Sequence, residues 1–368
     1  MKITIERDAL LAAMNHVATA VQKRTTIPML ENVLLKAETN DCVELSGTDL
    51  DMEASALAQA AVEQSGQATV SADRLRNIAR SLPPGANVQI ELADNGNAVH
   101  IKSGRSRFQS PSLDPRDWPL LKGPEEAEPL RIDAKALAAA LEGVRFTAMP
   151  HGKGSDNLAV VYFDFEKTGL LRLVATNRHI LGHVALTIEG APPASFSLHT
   201  NHAAALSGFL KSAEGEVTLA SDGRVMRATR KGATLTTKLY DGPYVDWERI
   251  VPRETQETTA FDREGLRIAV QRAAIMVDEQ SNLTKLDVGK DSVTIIGQGE
   301  FGASGHDEIA VESTGEMSVG YNGRYLSEIL SALSGARTDL KWSSPTSGSL
   351  LCCPDAPDHF YLLMPVRI

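Results

Sequence analysis

Four histidines fall within one short stretch, His179, His183, His199 and His202, and imidazole is a common ligand for transition metals. His179 and His183 stand four apart, the interval of a helical HExxH zinc site. No glutamate follows the first of them, and the surrounding run has the composition of a strand. Pocket or surface histidines are therefore expected, with no metal and no cofactor. Asp49, Asp51 and Glu53 alternate, so in a strand all three carboxylates would share one face and could present oxygens to a hard cation. No glycine-containing coordination loop accompanies them, and a solvated outer strand face is the expectation. His151-Gly152-Lys153-Gly154-Ser155 is glycine-rich and basic but lacks the GxxxxGK[ST] spacing and follows a helical stretch, so no nucleotide site is expected. Neither GxSxG, DFG nor a paired-carboxylate signature is present, and the chain does not read as an enzyme.

The three cysteines, Cys42 and the adjacent Cys352 and Cys353, form no CxxC pair and suit a reducing compartment. Charged Glu6, Arg7 and Asp8 interrupt the N-terminal stretch where a secretory signal needs apolar residues, and no run of about 18 apolar residues exists. A cytoplasmic, nucleoid-associated protein with no membrane partner is expected. Trp118, Trp247 and Trp342 are too scattered to form a base-stacking platform.

The elements that must carry these residues repeat along the 368-residue chain. Ile5-Glu6-Arg7-Asp8-Ala9-Leu10 returns as Ile132–Leu137 and again as Phe261–Leu266, at offsets of 127 and 129. Each copy reads as a strand, an acidic helix start and an apolar stripe: Leu10, Met14, Val17; Leu137, Leu141, Val144; Leu266, Val270, Ala273. A second strand-then-helix element recurs as Val70 with Leu75, Ile78 and Leu82; Leu198 with Ala203, Leu206 and Leu210; and Val319 with Leu326, Ile329 and Leu333. Alternating runs joined at Asn95-Gly96-Asn97 and Asp222-Gly223 add hairpins. The expected fold is α+β: three repeated domains, each of two helices packed on antiparallel sheets, with boundaries at 1–126, 127–254 and 255–368.

Units of this size suit closure into a ring rather than a solenoid. The charge pattern bears on which face would turn inward. Six helical windows (7–24, 72–82, 133–149, 200–213, 262–277 and 324–337) hold 14 Lys and Arg against 7 Asp and Glu, leaving −17 on the rest of a chain whose total is −10. A basic helical lining in an acidic body would favour a polyanion inside the ring and repel it elsewhere.

Over its whole length the chain resembles the bacterial DNA polymerase III beta subunit. The likeness is carried by MKITIERDALL, LSGTDLDME (Leu45–Glu53), KSGRSRF (Lys102–Phe108), LVAT (Leu173–Thr176), TKLYDG (Thr237–Gly242) and the terminal LLMPVRI (Leu362–Ile368). The resemblance implies a processivity factor, a head-to-tail homodimeric ring enclosing double-stranded DNA topologically and without sequence preference. It implies DNA contacts from Arg24, Arg74, Arg80 and Lys153. It implies a pocket for short linear peptides of the DNA polymerase III alpha subunit, the clamp loader and repair proteins, built from Leu158, Thr176, Arg178, His179, Leu181, Val245, Arg249, Ile250, Leu362, Met364, Pro365, Val366 and Arg367. Leu362, Met364 and Val366 are expected to alternate along a final strand and share a face. The ring would close through Arg105, Arg107 and Phe108 of one copy against Ile275, Met276, Glu300, Asp307 and Glu308 of the next. The chain departs from the family at Ala175–Gly182, where Arg178 replaces a glycine and Ile180 a basic residue. Val245 stands where proline is common, and Thr200-Asn201-His202 lacks a basic pair. Arg178 would either narrow the pocket entrance or pair with an acidic residue of a ligand; the alternative functions are an accessory, clamp-like scaffold with an altered partner pocket and, less favoured, a metal-dependent hydrolase using His179 and His183.

Overall fold

A computed structural model describes residues 1–22, 25–38, 41–190, 194–277, 282–299, 301 and 303–368. The apolar stripes form helices where their 3.6-residue period calls for them: α1 (Arg7–Val17), α2 (Ala72–Ser81), α3 (Ala134–Arg145), α4 (Thr200–Lys211), α5 (Arg263–Ala274) and α6 (Gly323–Ala332). Every one begins directly at the end of a strand, so the repeated element is a strand running straight into a helix. The starts have a local cause where side chains cap the first turn. Asp133 accepts from the Ala136 N–H at 2.7 Å, Asp262 from Gly265 at 2.6 Å, and Asn322 from Arg324 and Tyr325 at 3.0 and 3.2 Å.

The chain divides into two compact units, each built on a twelve-stranded sheet whose pairings are all antiparallel. The first comprises Met1–Ala138, Glu189–Ala194 and Ala204–Leu239. Its central strand, Met52–Gln64, pairs with Lys2–Glu6, with Cys42–Thr48 and with Ala233–Lys238. Ile3, Ile5, Leu10, Met14, Leu35, Leu45, Leu75 and Ile90 are fully buried there.

The second comprises Ala139–Ile188, Ser195–Ala203 and Tyr240–Ile368. Its sheet is continuous because Ile180–Thr187 pairs with Ala356–Leu363, with Leu181 opposite Leu362. Tyr321, Tyr361, Val270, Leu326 and Ile329 belong to its core. The strands of 127–254 are thus shared out: Leu130–Asp133 and the three between Glu216 and Lys238 in the first sheet, the four between Val160 and His199 in the second.

One tight turn occurs three times, and its hydrogen bonds explain its sequence. In Thr48–Met52 the Thr48 hydroxyl accepts from the Leu50 N–H at 3.1 Å, and the Asp49 carboxylate from the N–H groups of Asp51 and Met52. In Thr176–Ile180 the Thr176 hydroxyl and Asn177 carbonyl take the same bonds from Arg178, His179 and Ile180. In Ser221–Val225, Ser221 and Asp222 do so for Gly223, Arg224 and Val225. The middle residue is left-handed in all three, with φ of 79° at Leu50, 78° at Arg178 and 84° at Gly223. Only the third carries the glycine this backbone favours.

That turn corrects the carboxylate reading. Asp49 is spent on turn N–H groups, Asp51 precedes the strand and pairs with Lys238 at 2.9 Å, and only Glu53 lies in the strand. Burial pushes the Glu53 carboxyl above its usual range.

Candidate functional site

In the second unit a groove of about 240 Å³ follows from strand register. Cross-strand partners point to the same face of a sheet, and here Thr176 stands opposite Leu181, Leu181 opposite Leu362, and Leu362 opposite Leu350. This row is mostly apolar. Trp247, on a short 3₁₀ turn (Trp247–Arg249), is buried against Val174, Leu181 and Leu362, with Tyr162, Tyr244, Val245 and Val251 around them. Arg172 stacks on the Trp247 ring at 5.0 Å while bonded to Asp164 and Glu248, which holds the Trp247–Arg249 turn onto the sheet. Leu158 and Asn157 come from another 3₁₀ turn, and Met364, just past the end of the last strand, donates its N–H to the His179 carbonyl at 2.9 Å.

Eight of the thirteen expected pocket residues line this groove: Leu158, Thr176, Arg178, Leu181, Val245, Ile250, Leu362 and Met364. Five do not. His179 stacks on Tyr325, with ring centres 6.1 Å apart. Arg249 points to solvent and pairs with Asp246 at 2.8 Å. Pro365, Val366 and Arg367 line a different groove with Ser318–Gly320, Pro345 and Thr346. The reason is that the final strand stops at Leu363; Val366 instead bridges to Gly320, donating its N–H to the Gly320 carbonyl at 2.8 Å. Gly320 permits this, since a Cβ there would lie 2.9 Å from the Val366 carbonyl oxygen. Leu362, Met364 and Val366 therefore do not share one strand face. Asn157, the neighbour of Leu158, and Ile180, which begins the strand carrying Leu181, also line the groove.

The histidines serve packing. His183 is buried, stacked on Phe360 at 4.4 Å and bonded through Nδ1 to the Asp358 carbonyl at 2.9 Å; burial holds its imidazole below the ordinary histidine range. His199 packs against His151, His202 and Tyr240. Among the described residues no three His, Cys, Asp or Glu side chains are placed to hold a metal ion. Among the described residues, too, no helix is long and apolar enough to cross a membrane.

The basic helices are less free than their charge count suggests. Arg7 donates from Nε to the Ala79 carbonyl at the end of α2, and Arg263 donates to the Leu330 carbonyl in the last turn of α6 and to the Gly335 carbonyl just beyond it. Each thus satisfies last-turn acceptors of a neighbouring helix. Arg76, Arg145, Arg267, Arg272 and Arg324 sit in ion pairs with Asp73, Glu142, Glu264, Asp307 and Glu328. Arg74 and Arg80 on α2 and Lys153 in the loop after α3 are exposed and take no ion pair among the described residues, as does Lys135 on α3, which was not singled out. Arg24 lies outside the described residues.

Of the residues expected to close a ring, Arg105, Arg107 and Phe108 occupy the hairpin and terminal strand (Ser106–Pro111) of the first sheet. Arg107 bonds to the carbonyls of Gly104 and Ser106. Ile275 and Met276 follow α5 and are 76% and 45% exposed. Asp307 is held by Arg272 at 3.2 Å, Glu308 is exposed, and Glu300 lies outside the described residues.

Both ends of the chain match one protein family. Residues 1–122 match the family described as DNA polymerase III beta subunit, N-terminal domain, and residues 248–367 match its C-terminal domain. The chain belongs to the DNA polymerase III beta subunit family. Within it, the chain is 32% identical to the beta sliding clamp of Caulobacter vibrioides and 30% identical to that of Pseudomonas aeruginosa, each over the full length of both chains. The family's fold is matched as closely: a crystal structure of the C. crescentus beta sliding clamp superposes with a TM-score of 0.96 at 31% identity, covering 100% of this chain and 99% of that one. The P. aeruginosa DNA polymerase III subunit beta gives 0.94 at 29%, with full coverage of both.

Proposed function

We propose that this protein is a DNA sliding clamp, a processivity factor that encircles duplex DNA and tethers the replicative polymerase. The observation that carries the reading is end-to-end similarity to beta sliding clamps, joined to six strand-to-helix elements on antiparallel sheets. In this reading the chain does no chemistry. Its three repeats, 1–126, 127–254 and 255–368, act as clamp domains, and two copies close head to tail through Arg105, Arg107 and Phe108 against Ile275, Met276 and Glu308. DNA is held by weak, sequence-independent contacts from Arg74, Arg80, Lys135 and Lys153, with Arg24 carried over from the resemblance. The groove of the second unit takes short linear peptides of the polymerase alpha subunit, the clamp loader and repair proteins, with apolar side chains as anchors.

The test combines solution mass with DNA retention. A clamp has the mass of two chains at micromolar concentration and, once loaded, stays on circular DNA but runs off linear DNA. Monomeric mass, or equal retention on both, refutes it. Left-handed Arg178 on the groove favours a second reading, an accessory clamp with altered partners. Titration with polymerase-derived peptides separates the two.

A further inference from the structure

Three features of the groove bear on what it selects. Its lining is apolar except for Thr176, Asn157 and Arg178. Two nearby charges are neutralised in place, Arg249 by Asp246 at 2.8 Å and Glu248 by Arg172 at 3.0 Å, while Asp156 next to the lining Asn157 is an exposed carboxylate. Arg178, the one charged residue of the lining, is exposed and has no ion pair among the described residues. A lining cation beside apolar walls sits where an incoming carboxylate is attracted and partly desolvated.

The backbone points the same way. Arg178 occupies a left-handed conformation that costs an L-residue about 1–2 kcal/mol. Gly223 shows that glycine fills the same position in the same turn. The turn itself does not require a side chain at 178. The side chain also does not plug the groove, because it is exposed while about 240 Å³ remains open between Leu158, Leu181, Ile250, Leu362 and Met364.

Resting on the peptide-docking reading above, we propose that Arg178 is a specificity-determining contact, selecting peptides that carry a carboxylate side chain next to their apolar anchors. The occupant is an extended segment whose Leu-like anchors enter the apolar lining while a Glu or Asp meets the guanidinium at the rim.

The experiment uses the full-length protein and two synthetic hexapeptides with two leucine anchors, differing only in Glu or Gln between them. Binding is measured by calorimetry at low salt. The Glu peptide binds about threefold more tightly, the scale of a rim ion pair, and the advantage shrinks near ~0.5 M salt. Arg178→Gln removes the preference, and Arg178→Glu transfers it to a third peptide with Lys at that position. Equal affinities of the wild-type protein for the Glu and Gln peptides overturn the proposal while leaving the groove reading intact. Tighter binding of both by Arg178→Gln overturns it too, since the arginine would then be an obstruction. Failure of every peptide to bind the wild-type protein refutes the groove reading and the proposal with it.

Discussion

Replacing Arg178 by glycine should make the protein more stable, although it deletes a long side chain. The residue is held at φ 78°, where an L-residue is about 1–2 kcal/mol less favourable than glycine. Glycine gives back about 0.5–1 kcal/mol through its freer unfolded chain. The side chain makes no ion pair among the described residues, so its removal sacrifices little packing. The net expectation is a gain of about 0.5–1 kcal/mol for Arg178→Gly over Arg178→Ala, because alanine keeps the backbone cost without the side chain. Asparagine, which tolerates this region, should fall between them. Urea unfolding followed by tryptophan fluorescence reads the second unit through Trp247 and Trp342. With a slope of ~2 kcal/mol/M, the midpoints of the glycine and alanine variants should differ by about 0.3–0.5 M. Leu50→Gly should repeat the gain in the first unit, and Gly223→Ala should reverse it by about 1 kcal/mol or more. An alanine variant as stable as the glycine variant would show that the three turns store no backbone strain.

Deleting Met364–Ile368 should abolish peptide binding while the ring still forms, because Met364 lines the groove; calorimetry beside a mass measurement checks both halves. Tyr361→Phe should cost about 1–3 kcal/mol in denaturant unfolding, since the buried hydroxyl donates to the Gly143 carbonyl in the last turn of α3 and its removal leaves that acceptor buried. Stability should fall as pH is lowered from about 7 to 5. The His183 pKa is depressed by burial, so its contribution is full above the unfolded value near ~6.5, is lost as pH falls toward the folded value, and levels off below that; His183→Gln should flatten the slope. Charge reversal of Arg74 and Arg80 should slow loading onto DNA and lower the log–log salt slope by roughly 0.9 for each phosphate that is no longer neutralised. The effect should be equal for all DNA sequences, and a sequence-dependent one would contradict topological binding.

The helices and their repetition were legible in the chain because their cause is local. Leu10, Met14 and Val17 lie on one face of α1 whatever surrounds it, and Asp133 and Asp262 cap the turns that follow them. The turn residues at Asp49, Asn177 and Asp222 act within a few positions of themselves, although the alternation around Asp49 resembles a strand and only its hydrogen bonds distinguish a turn. The groove is another matter. Leu158, Leu181, Val245 and Leu362 are far apart in the chain, and only the pairing of Ile180–Thr187 with Ala356–Leu363 sets Leu181 beside Leu362. Whether an arginine is free or already committed is likewise decided at a distance: Arg7 and Arg80 look alike in the sequence, yet Arg7 is taken by a carbonyl 72 residues away. Where the last strand ends was also a tertiary matter, since Val366 left the expected face for an N–H···O bond to Gly320, a partner that no periodicity in the terminal residues could name.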